Sequence, residues 1–153
     1  IRGKPDYVEA HYTLGTVLKQ LGEWPDAATA LRQAIRLQPD LAGAHSTLAS
    51  VLRQLGDTAG AAEERRVAEE LSKAATNRQA ATFATSAGKR LFEEGEIEGA
   101  LAQFRAAIKL VPTYAPAHYH LAVALEKKGQ HAEAEREFQK AAELDPRFMR
   151  PEH

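Results

Sequence analysis

The six histidines are the residues of this chain best suited to chemistry, because imidazole binds metal ions and transfers protons near neutral pH. His11, His45 and His118 occupy one position of a repeated helical unit, described below. Equivalent positions of stacked helices lie on the order of 10 Å apart, whereas metal ligands lie about 2 Å from one ion. His118 and His120 point to nearly opposite sides of a helix. We therefore predict packing or surface roles for the histidines, with no metal site and no cofactor.

The carboxylates and hydroxyls give no catalytic pattern. Glu63 to Arg66 and Glu133 to Arg136 are mixed charge runs, which are typical of solvated helical faces with i,i+3 and i,i+4 pairs. No two carboxylates lie in an apolar setting, as a general acid–base pair requires. Ser46, Ser50 and Ser86 show no accompanying His and Asp arrangement, and the chain contains no cysteine and no phosphate-binding glycine loop. The sequence predicts that the protein is not an enzyme.

Composition narrows the class of partner. Hydrophobic residues make up 44% and charged residues 27% of the 153 residues, a balance typical of a soluble globular protein. The 20 basic and 21 acidic residues are well mixed, so the chain lacks the basic groove that nucleic acid needs. No apolar run approaches the roughly 20 residues that span a bilayer. We expect neither nucleic acid nor membrane as a partner, and the sequence shows no targeting signal that would indicate a compartment.

A repeated unit positions all these side chains. Its clearest marker is glycine, since Gly22 and Gly56 are separated by the same interval as Gly95 and Gly129. Other small and apolar residues keep the same spacing: Leu18, Leu52, Leu91 and Leu125; Ala27, Ala61, Ala100 and Ala134; Ala34, Ala68, Ala107 and Ala141. The same unit therefore occurs four times, with five extra residues between the second and third copies.

Each unit is predicted to form two antiparallel helices on either side of its glycine. In the first unit, Gly15 and Ala27 allow the helices to approach closely, while Leu14, Leu18 and Leu31 fill the remaining space. Such short hairpins cannot bury their apolar faces alone, so neighbouring units must stack. The fold is predicted to be all-α, with helices at Val8–Leu21, Pro25–Leu37, Ala42–Leu55, Thr58–Ala75, Arg78–Glu94, Ile97–Leu110, Ala115–Lys128 and His131–Leu144.

The repeat resembles the tetratricopeptide (TPR) repeat over nearly the whole chain. The residues that carry this resemblance are Leu14, Gly15, Leu18, Ala27, Leu31, Ala34 and Pro39 in the first copy, Ala87, Gly88, Leu91, Ala100, Phe104, Ala107 and Pro112 in the third, and Leu121, Ala122, Leu125, Ala134, Phe138, Ala141 and Pro146 in the fourth. The second copy departs from the pattern, with Arg65 at the large apolar position and Lys73 in place of the closing proline. The resemblance implies an α-solenoid of antiparallel helical hairpins, coiled as a right-handed superhelix.

The resemblance also gives the boundaries of the repeats. They are 8–41, 42–75, 81–114 and 115–148, with an insert or helix continuation at 76–80 and a tail at 149–153. Residues 1–7 resemble the tail of a preceding repeat, because Pro5-Asp6-Tyr7 lies one repeat interval before Pro39-Asp40-Leu41. No further amphipathic helix follows Pro146. We expect four repeats cut from a longer array.

The resemblance implies a non-catalytic scaffold for protein–protein interactions. In TPR arrays the first helix of each hairpin lines the concave face, and a peptide or protein segment binds there. The corresponding residues here are Glu9, Tyr12, Thr16 and Lys19; Ser46, Ser50, Arg53 and Gln54; Thr82, Thr85, Lys89 and Phe92; and Tyr119, Val123 and Glu126. Hydroxyls suit a peptide backbone, and Lys and Arg suit a carboxylate. The alternative is a structural spacer or dimerisation array within a larger protein.

One TPR subfamily is recognised by the residues with which it binds the terminal carboxylate of its ligand. Chaperone-binding TPR domains hold that group with Lys, Asn, Asn, Lys and Arg. The matching positions here carry none of these residue types; they are Tyr12, Thr16, Thr47, Thr82 and Ser86. A chaperone-adaptor role is therefore not expected, and the identity of the protein or peptide partner stays open.

The junction between the second and third copies allows two structures. Good helix-forming residues dominate between Gly60 and Gly88, where neither Gly nor Pro occurs. In one structure Thr76 and Gln79 form a capping box that starts a new helix, and four hairpins stack. In the other, the flanking helices fuse into one rod of roughly 35 residues. The rod would leave apolar faces uncovered and predicts a symmetric homodimer, through this junction, that could exchange elements between chains.

Overall fold

A computed structural model describes residues 4–150, with side chains from Tyr7 onward, and this range contains α-helices and no strand. The α-helices are α1 (Lys4–Gln20), α2 (Trp24–Leu37), α3 (Ala42–Gln54), α4 (Thr58–Glu93), α5 (Ile97–Leu110), α6 (Ala115–Lys127) and α7 (His131–Leu144). A 3-10 helix follows at Pro146–Phe148. The predicted all-α fold is confirmed, and most of the predicted helix ends lie within one residue of the observed ones.

The long helix α4 decides between the two structures expected at the junction. It runs without a break through 36 residues, so the predicted rod is confirmed. The alternative, with one helix ending at Ala75 and a new one capped at Thr76, is wrong. The absence of Gly and Pro between Gly60 and Gly88 permits the continuous helix, because no residue there interrupts the helical hydrogen bonds. The five inserted residues, 76–80, all lie inside the helix.

The chain divides into two compact units, Ile1–Ala74 and Ala75–His153. We call them unit 1 and unit 2. Unit 1 contains α1, α2, α3 and the first half of α4, and unit 2 contains the second half of α4 with α5, α6 and α7. Helix α1 begins at Lys4, earlier than predicted, so part of the predicted N-terminal tail is helical. Residues 1–3 and 151–153 of the predicted tails lie outside the described residues.

The glycine period arises from the turn that ends each first helix. Gly22, Gly56, Gly95 and Gly129 have φ angles of 79° to 85°, in the left-handed region that other L-residues rarely adopt. The amide one residue beyond each glycine donates back into the helix, as Glu23 N does to Leu18 O at 2.9 Å. This arrangement satisfies carbonyls at the helix end and reverses the chain. The repeated glycine therefore marks the helix boundary four times.

The core of unit 1 forms where α3 packs on α2. Leu31 of α2 is fully buried, together with Leu48 and Val51 of α3. Helix α1 approaches α2 at Gly15, where an added Cβ would lie only 2.6 Å from Leu31 Cγ. A larger residue at position 15 would displace Leu31 from this core.

Unit 2 repeats this packing with α5 and α6. Phe104 and Leu101 of α5 are 1% exposed and pack against Leu121 and Leu125 of α6. Helix α4 approaches at Gly88, where an added Cβ would lie 2.5 Å from Phe104 Cε1. The Phe104 ring therefore occupies space that only glycine leaves open.

Candidate functional site

The predicted ligand-binding residues fall into two sets, one in each unit. Unit 1 contains the eight residues of the first two copies, on α1 and α3, and unit 2 contains the seven of the last two copies, on α4 and α6. Each set is described by itself.

On α1, two of the predicted residues have contacts within the fold. Tyr12 is half-buried and packs against the core formed by α2 and α3. Thr16 is half-buried and donates its hydroxyl hydrogen to the backbone oxygen of Tyr12, at 2.9 Å. Lys19 is half-buried and Glu9 is exposed. This helix presents a mainly polar strip in which Tyr12 supplies the aromatic surface.

On α3, three of the four predicted residues border one cavity of about 270 Å³. Ser46, Ser50 and Arg53 form one wall, and α4 supplies Thr58 and Arg65 opposite them. The fourth predicted residue, Gln54, is exposed and lies outside the lining. Two guanidinium groups and three hydroxyl groups supply the polar part of this unit 1 cavity, and the rest of the lining is Ala49, Ala61 and Ala62. Such a lining suits carboxylates and peptide carbonyl groups.

In unit 2, residues from both predicted helices border a second cavity, of about 220 Å³. Lys89 and Phe92 of α4 and Val123 of α6 line it, as the repeat pattern predicts. The lining also includes Glu93, Phe104 and His120, which the sequence analysis did not assign to the site. We call this space the unit 2 cavity. Its lining is chiefly aromatic and aliphatic, in contrast to the unit 1 cavity.

His120 is the polar side chain within the apolar wall of the unit 2 cavity. Its ring stacks on the Phe104 ring, with centroids 5.8 Å apart. Burial, with a smaller contribution from the charge of Lys89, lowers the pKa of His120 to about 4. The imidazole is therefore neutral at neutral pH and carries one donor and one acceptor. The repeat pattern did not indicate this residue, because His120 lies beside the predicted ligand-facing positions rather than on them.

The two predicted threonines of α4 differ in accessibility. Thr82 is exposed, and its hydroxyl lies 3.1 Å from the Tyr114 hydroxyl. Thr85 is only 4% exposed and donates to the backbone oxygen of Ala81 at 2.8 Å. The hydroxyl of Thr85 is thus buried and turned back to its own helix, and the ligand contact expected there stays a prediction.

The C-terminal segment covers the remaining predicted residues of α6. Phe148 lies over Tyr119, with ring centroids 5.8 Å apart. Arg150 forms ion pairs with Glu126 and with Glu135, the latter at 2.7 Å. Tyr119 and Glu126 are therefore engaged within the fold. Sequence reasoning found no amphipathic helix after Pro146 and missed this segment, since a single short turn leaves no periodic signal.

The buried histidines form two equivalent hydrogen-bonded pairs. His45 Nδ1 lies 2.5 Å from Glu64 Oε2, and its Nε2 donates to the backbone oxygen of Pro39 at 2.7 Å. His118 has the same contacts, with Glu137 Oε2 at 2.6 Å and the oxygen of Pro112 at 2.8 Å. Both ring nitrogens are thus occupied, and these two histidines have the packing role that the sequence predicts. The interval from His to Glu is the same in both pairs, and it was the signal available in sequence.

Among the side chains described, from Tyr7 to Arg150, no group of three or more His, Asp or Glu residues is arranged to hold a metal ion. None of the helices described is both long and apolar enough to cross a membrane.

Comparison with known proteins gives matches along most of the chain. A model described as a tetratricopeptide repeat matches residues 12–76, and another with the same description matches residues 115–148. A third, described as a TPR repeat, matches residues 88–129. No curated protein sequence matches the chain.

Solved structures also resemble the chain. A crystal structure of MamA has 24% sequence identity and a TM-score of 0.44, with 94% of this chain and 81% of that chain covered. A structure of pilF from Pseudomonas aeruginosa has 26% identity and a TM-score of 0.44, with coverage of 95% and 64%. MamA from Desulfovibrio magneticus RS-1 has 22% identity and a TM-score of 0.42, with coverage of 92% and 76%.

Proposed function

We propose that this chain, which belongs to the tetratricopeptide repeat family, is a non-catalytic scaffold that binds a peptide or protein segment along its first helices. The family is generally a protein-interaction module. The proposal adds the place of binding, namely the surfaces of α1 and α3 in unit 1 and of the second half of α4 and α6 in unit 2.

The observation that carries this proposal is the clustering of predicted residues around a cavity in each unit. Ser46, Ser50 and Arg53 share the unit 1 cavity, and Lys89 and Val123 share the unit 2 cavity. A peptide offers carbonyl groups, side-chain carboxylates and apolar side chains. The guanidinium and hydroxyl groups of one cavity suit the first two, and the aromatic lining of the other suits the third.

A catalytic role has no comparable support. His45 and His118 use both ring nitrogens in hydrogen bonds within the fold. The hydroxyls of Thr16 and Thr85 bond to their own helices rather than to a base that could activate them. We therefore assign binding, and no reaction, to both cavities.

A selection from a library of random peptides tests the proposal with the full chain as bait. The test variant is Arg53→Glu/Lys89→Glu, which reverses one exposed charge in each unit. The matched control is Arg36→Glu/Lys109→Glu, with the same charge change on exposed positions of the second helices α2 and α5. We expect enriched peptides that bind the wild type and the control and lose about tenfold or more in affinity for the test variant. Equal loss in both variants, or none in either, would contradict the assigned surface.

A second candidate function is dimerisation, favoured by one exposed aromatic residue. Phe83 on α4 is 78% exposed, whereas the equivalent residues Ala44 and Ala117 are fully buried. Aromatic residues such as Phe are enriched at protein interfaces. We propose that the matching surface of a second copy covers Phe83, near the junction of repeats two and three.

Light scattering on the purified chain tests the dimer. The expected result is the mass of two chains for the wild type and of one chain for Phe83→Glu. Leu21→Glu is the control, because Leu21 is 70% exposed and lies just after α1. A wild-type mass of one chain at high concentration removes the dimer and leaves peptide binding unaffected.

A further inference from the structure

The unit 2 cavity has the dimensions of a site for one side chain. Its volume is about 220 Å³, below the roughly 300 to 1,000 Å³ of pockets that hold whole small molecules. Phe92 and Phe104 supply aromatic rings, and Val123 supplies an aliphatic wall. Water in such a lining gains few hydrogen bonds, so an apolar side chain that replaces it gains free energy.

The rings of the cavity are held by contacts that do not depend on a ligand. Phe104 is 1% exposed and fits against Gly88, the position where a Cβ would clash with its ring. His120 stacks on Phe104. Lys127 Nζ lies 4.9 Å from the centre of the Phe92 ring, a cation–π distance. The lining is therefore preorganised, which lowers the entropic cost of binding.

The charges at the cavity favour an anionic neighbour of that side chain. Lys89 borders the cavity and forms no ion pair among the described residues. Its charge is close enough to help lower the pKa of His120. Lys127 adds a second positive charge beside Phe92, against the single carboxylate of Glu93 in the lining. A carboxylate next to the bound side chain would meet Lys89 at close range.

Unit 1 lacks this arrangement at the equivalent positions. Unit 1 has Lys19 where unit 2 has Phe92, Leu31 in place of Phe104, and Thr16 in place of Lys89. An apolar cavity with a lysine beside it is therefore specific to unit 2, and the repeat pattern shared by all four copies does not account for it.

We infer that the unit 2 cavity receives one large aliphatic or aromatic side chain of a bound peptide, and that a carboxylate beside that side chain pairs with Lys89. The carboxylate belongs to a neighbouring Asp or Glu or to the C-terminus of the peptide; both present the same group. His120, as a neutral ring at neutral pH, is available for a hydrogen bond to the peptide backbone. This inference rests on the proposed function and names its ligand chemistry.

Random peptides of about twelve residues, selected on the full chain in free-ended and C-terminally blocked formats, provide the probes. We expect enriched peptides to share Leu, Ile, Phe or Tyr next to an acidic group. The dissociation constant of an enriched peptide is then measured by isothermal calorimetry. Val123→Arg, which fills the cavity from its half-buried wall, is expected to weaken binding by about tenfold or more. Val17→Arg, on an exposed position of α1, is the matched control.

A second variant tests the carboxylate without altering the apolar lining. Lys89→Gln is expected to weaken an acidic peptide by about threefold to tenfold and to leave its Asp→Asn or C-terminal amide form unchanged. Lys109→Gln, at an exposed position of α5 away from the cavity, is the control. This comparison stays informative if Val123→Arg fails to fold, because Lys89 is exposed and outside the core.

The outcomes separate the inference from the proposed function. Enriched peptides that lack the apolar–acidic pair, or that bind Val123→Arg and Lys89→Gln as tightly as the wild type, overturn the inference. If such peptides still lose affinity for Arg53→Glu, the binding scaffold stands and only the unit 2 ligand is wrong. If no peptide is enriched by the wild type, both proposals fail.

Discussion

The first half of α4 and helix α5 occupy the same place in their repeats and carry opposite surfaces. In α5, Leu101 and Phe104 are 1% exposed beneath α6. At the equivalent positions α4 has Ala62 and Arg65, and the Arg65 side chain is 73% exposed. Helix α2 agrees with α5, since its Ala28 and Leu31 are buried beneath α3.

This difference explains why α4 continues as one helix, whereas α2 and α5 end in a turn before the next helix. A helix laid across Arg65 would have to bury its guanidinium, along with Glu69, its weak partner at 3.9 Å. Burial of such a pair costs several kcal/mol unless the geometry is excellent. Leaving the charges in water and extending the helix avoids that cost. The second repeat therefore lacks both features that would start a new hairpin. Arg65 replaces the large apolar residue, and Lys73 replaces the closing proline.

The largest predicted effect is the difference in stability between a variant that lacks the Phe104 ring and one that lacks the Arg65 side chain. Phe104→Ala removes a buried ring and is expected to lower the free energy of unfolding by about 3–5 kcal/mol. Arg65→Ala removes an exposed side chain and is expected to change it by no more than about 0.5 kcal/mol. Urea unfolding followed by circular dichroism measures both. Equal costs at the two positions would show that the comparison of surfaces is wrong.

A smaller loss of stability is expected from removing the buried His–Glu pairs, which have the same contacts in both units. His118→Ala removes the hydrogen-bond partner of Glu137 and of the carbonyl oxygen of Pro112, at a cost of about 2 kcal/mol. His45→Ala is expected to cost the same, because its partners are equivalent. His11→Ala serves as the control, since Ala30 stands where the second and fourth copies have glutamate. A control as costly as the other two would remove the role assigned to the His–Glu pairs.

The smallest effect concerns pH and His120, whose environment depends on Phe104. The pKa of His120 is about 4 in the folded chain, below its usual value near 6.5. Between these values the unfolded chain binds a proton that the folded ring does not, so stability falls as pH falls from about 6.5 to 4. We expect His120→Gln to remove about 1 kcal/mol of this loss, since solvent screens a half-exposed ring. If the variant and the wild type lose the same amount of stability between pH 6.5 and 4, the assignment of a half-buried, neutral His120 ring is wrong.

Much of the fold follows from residues that act locally. The four glycines at positive φ and the recurring Ala and Leu positions predict the helix ends, because a left-handed turn and a close helix contact each require a particular residue type. At the junction between repeats two and three, the local sequence allows two structures. A capping box at Thr76 and an unbroken helix are both compatible with local preferences, and the exposed charge at Arg65 acts only once a partner helix is considered.

The positions of the candidate binding residues were predictable in part. The repeat register placed Lys89, Phe92 and Val123 together, and they share one cavity. It also placed Thr85 on the ligand side, although that hydroxyl bonds to its own helix. The cover over Tyr119 by Phe148 depends on the path of a short aperiodic segment, which the sequence pattern does not encode.

Continuity of α4 is the central claim, and the NMR Cα chemical shifts of residues 72–80 test it most directly. These shifts report the backbone φ and ψ angles of each residue. In one unbroken helix every residue of this segment has helical angles, so all of its Cα shifts are expected to be helical. If a new helix began at a capped Thr76, the residue at the cap would have the non-helical angles of that position. A helical shift at every residue of 72–80 is the expected result, and non-helical shifts at Thr76 or Asn77 would contradict the continuous helix.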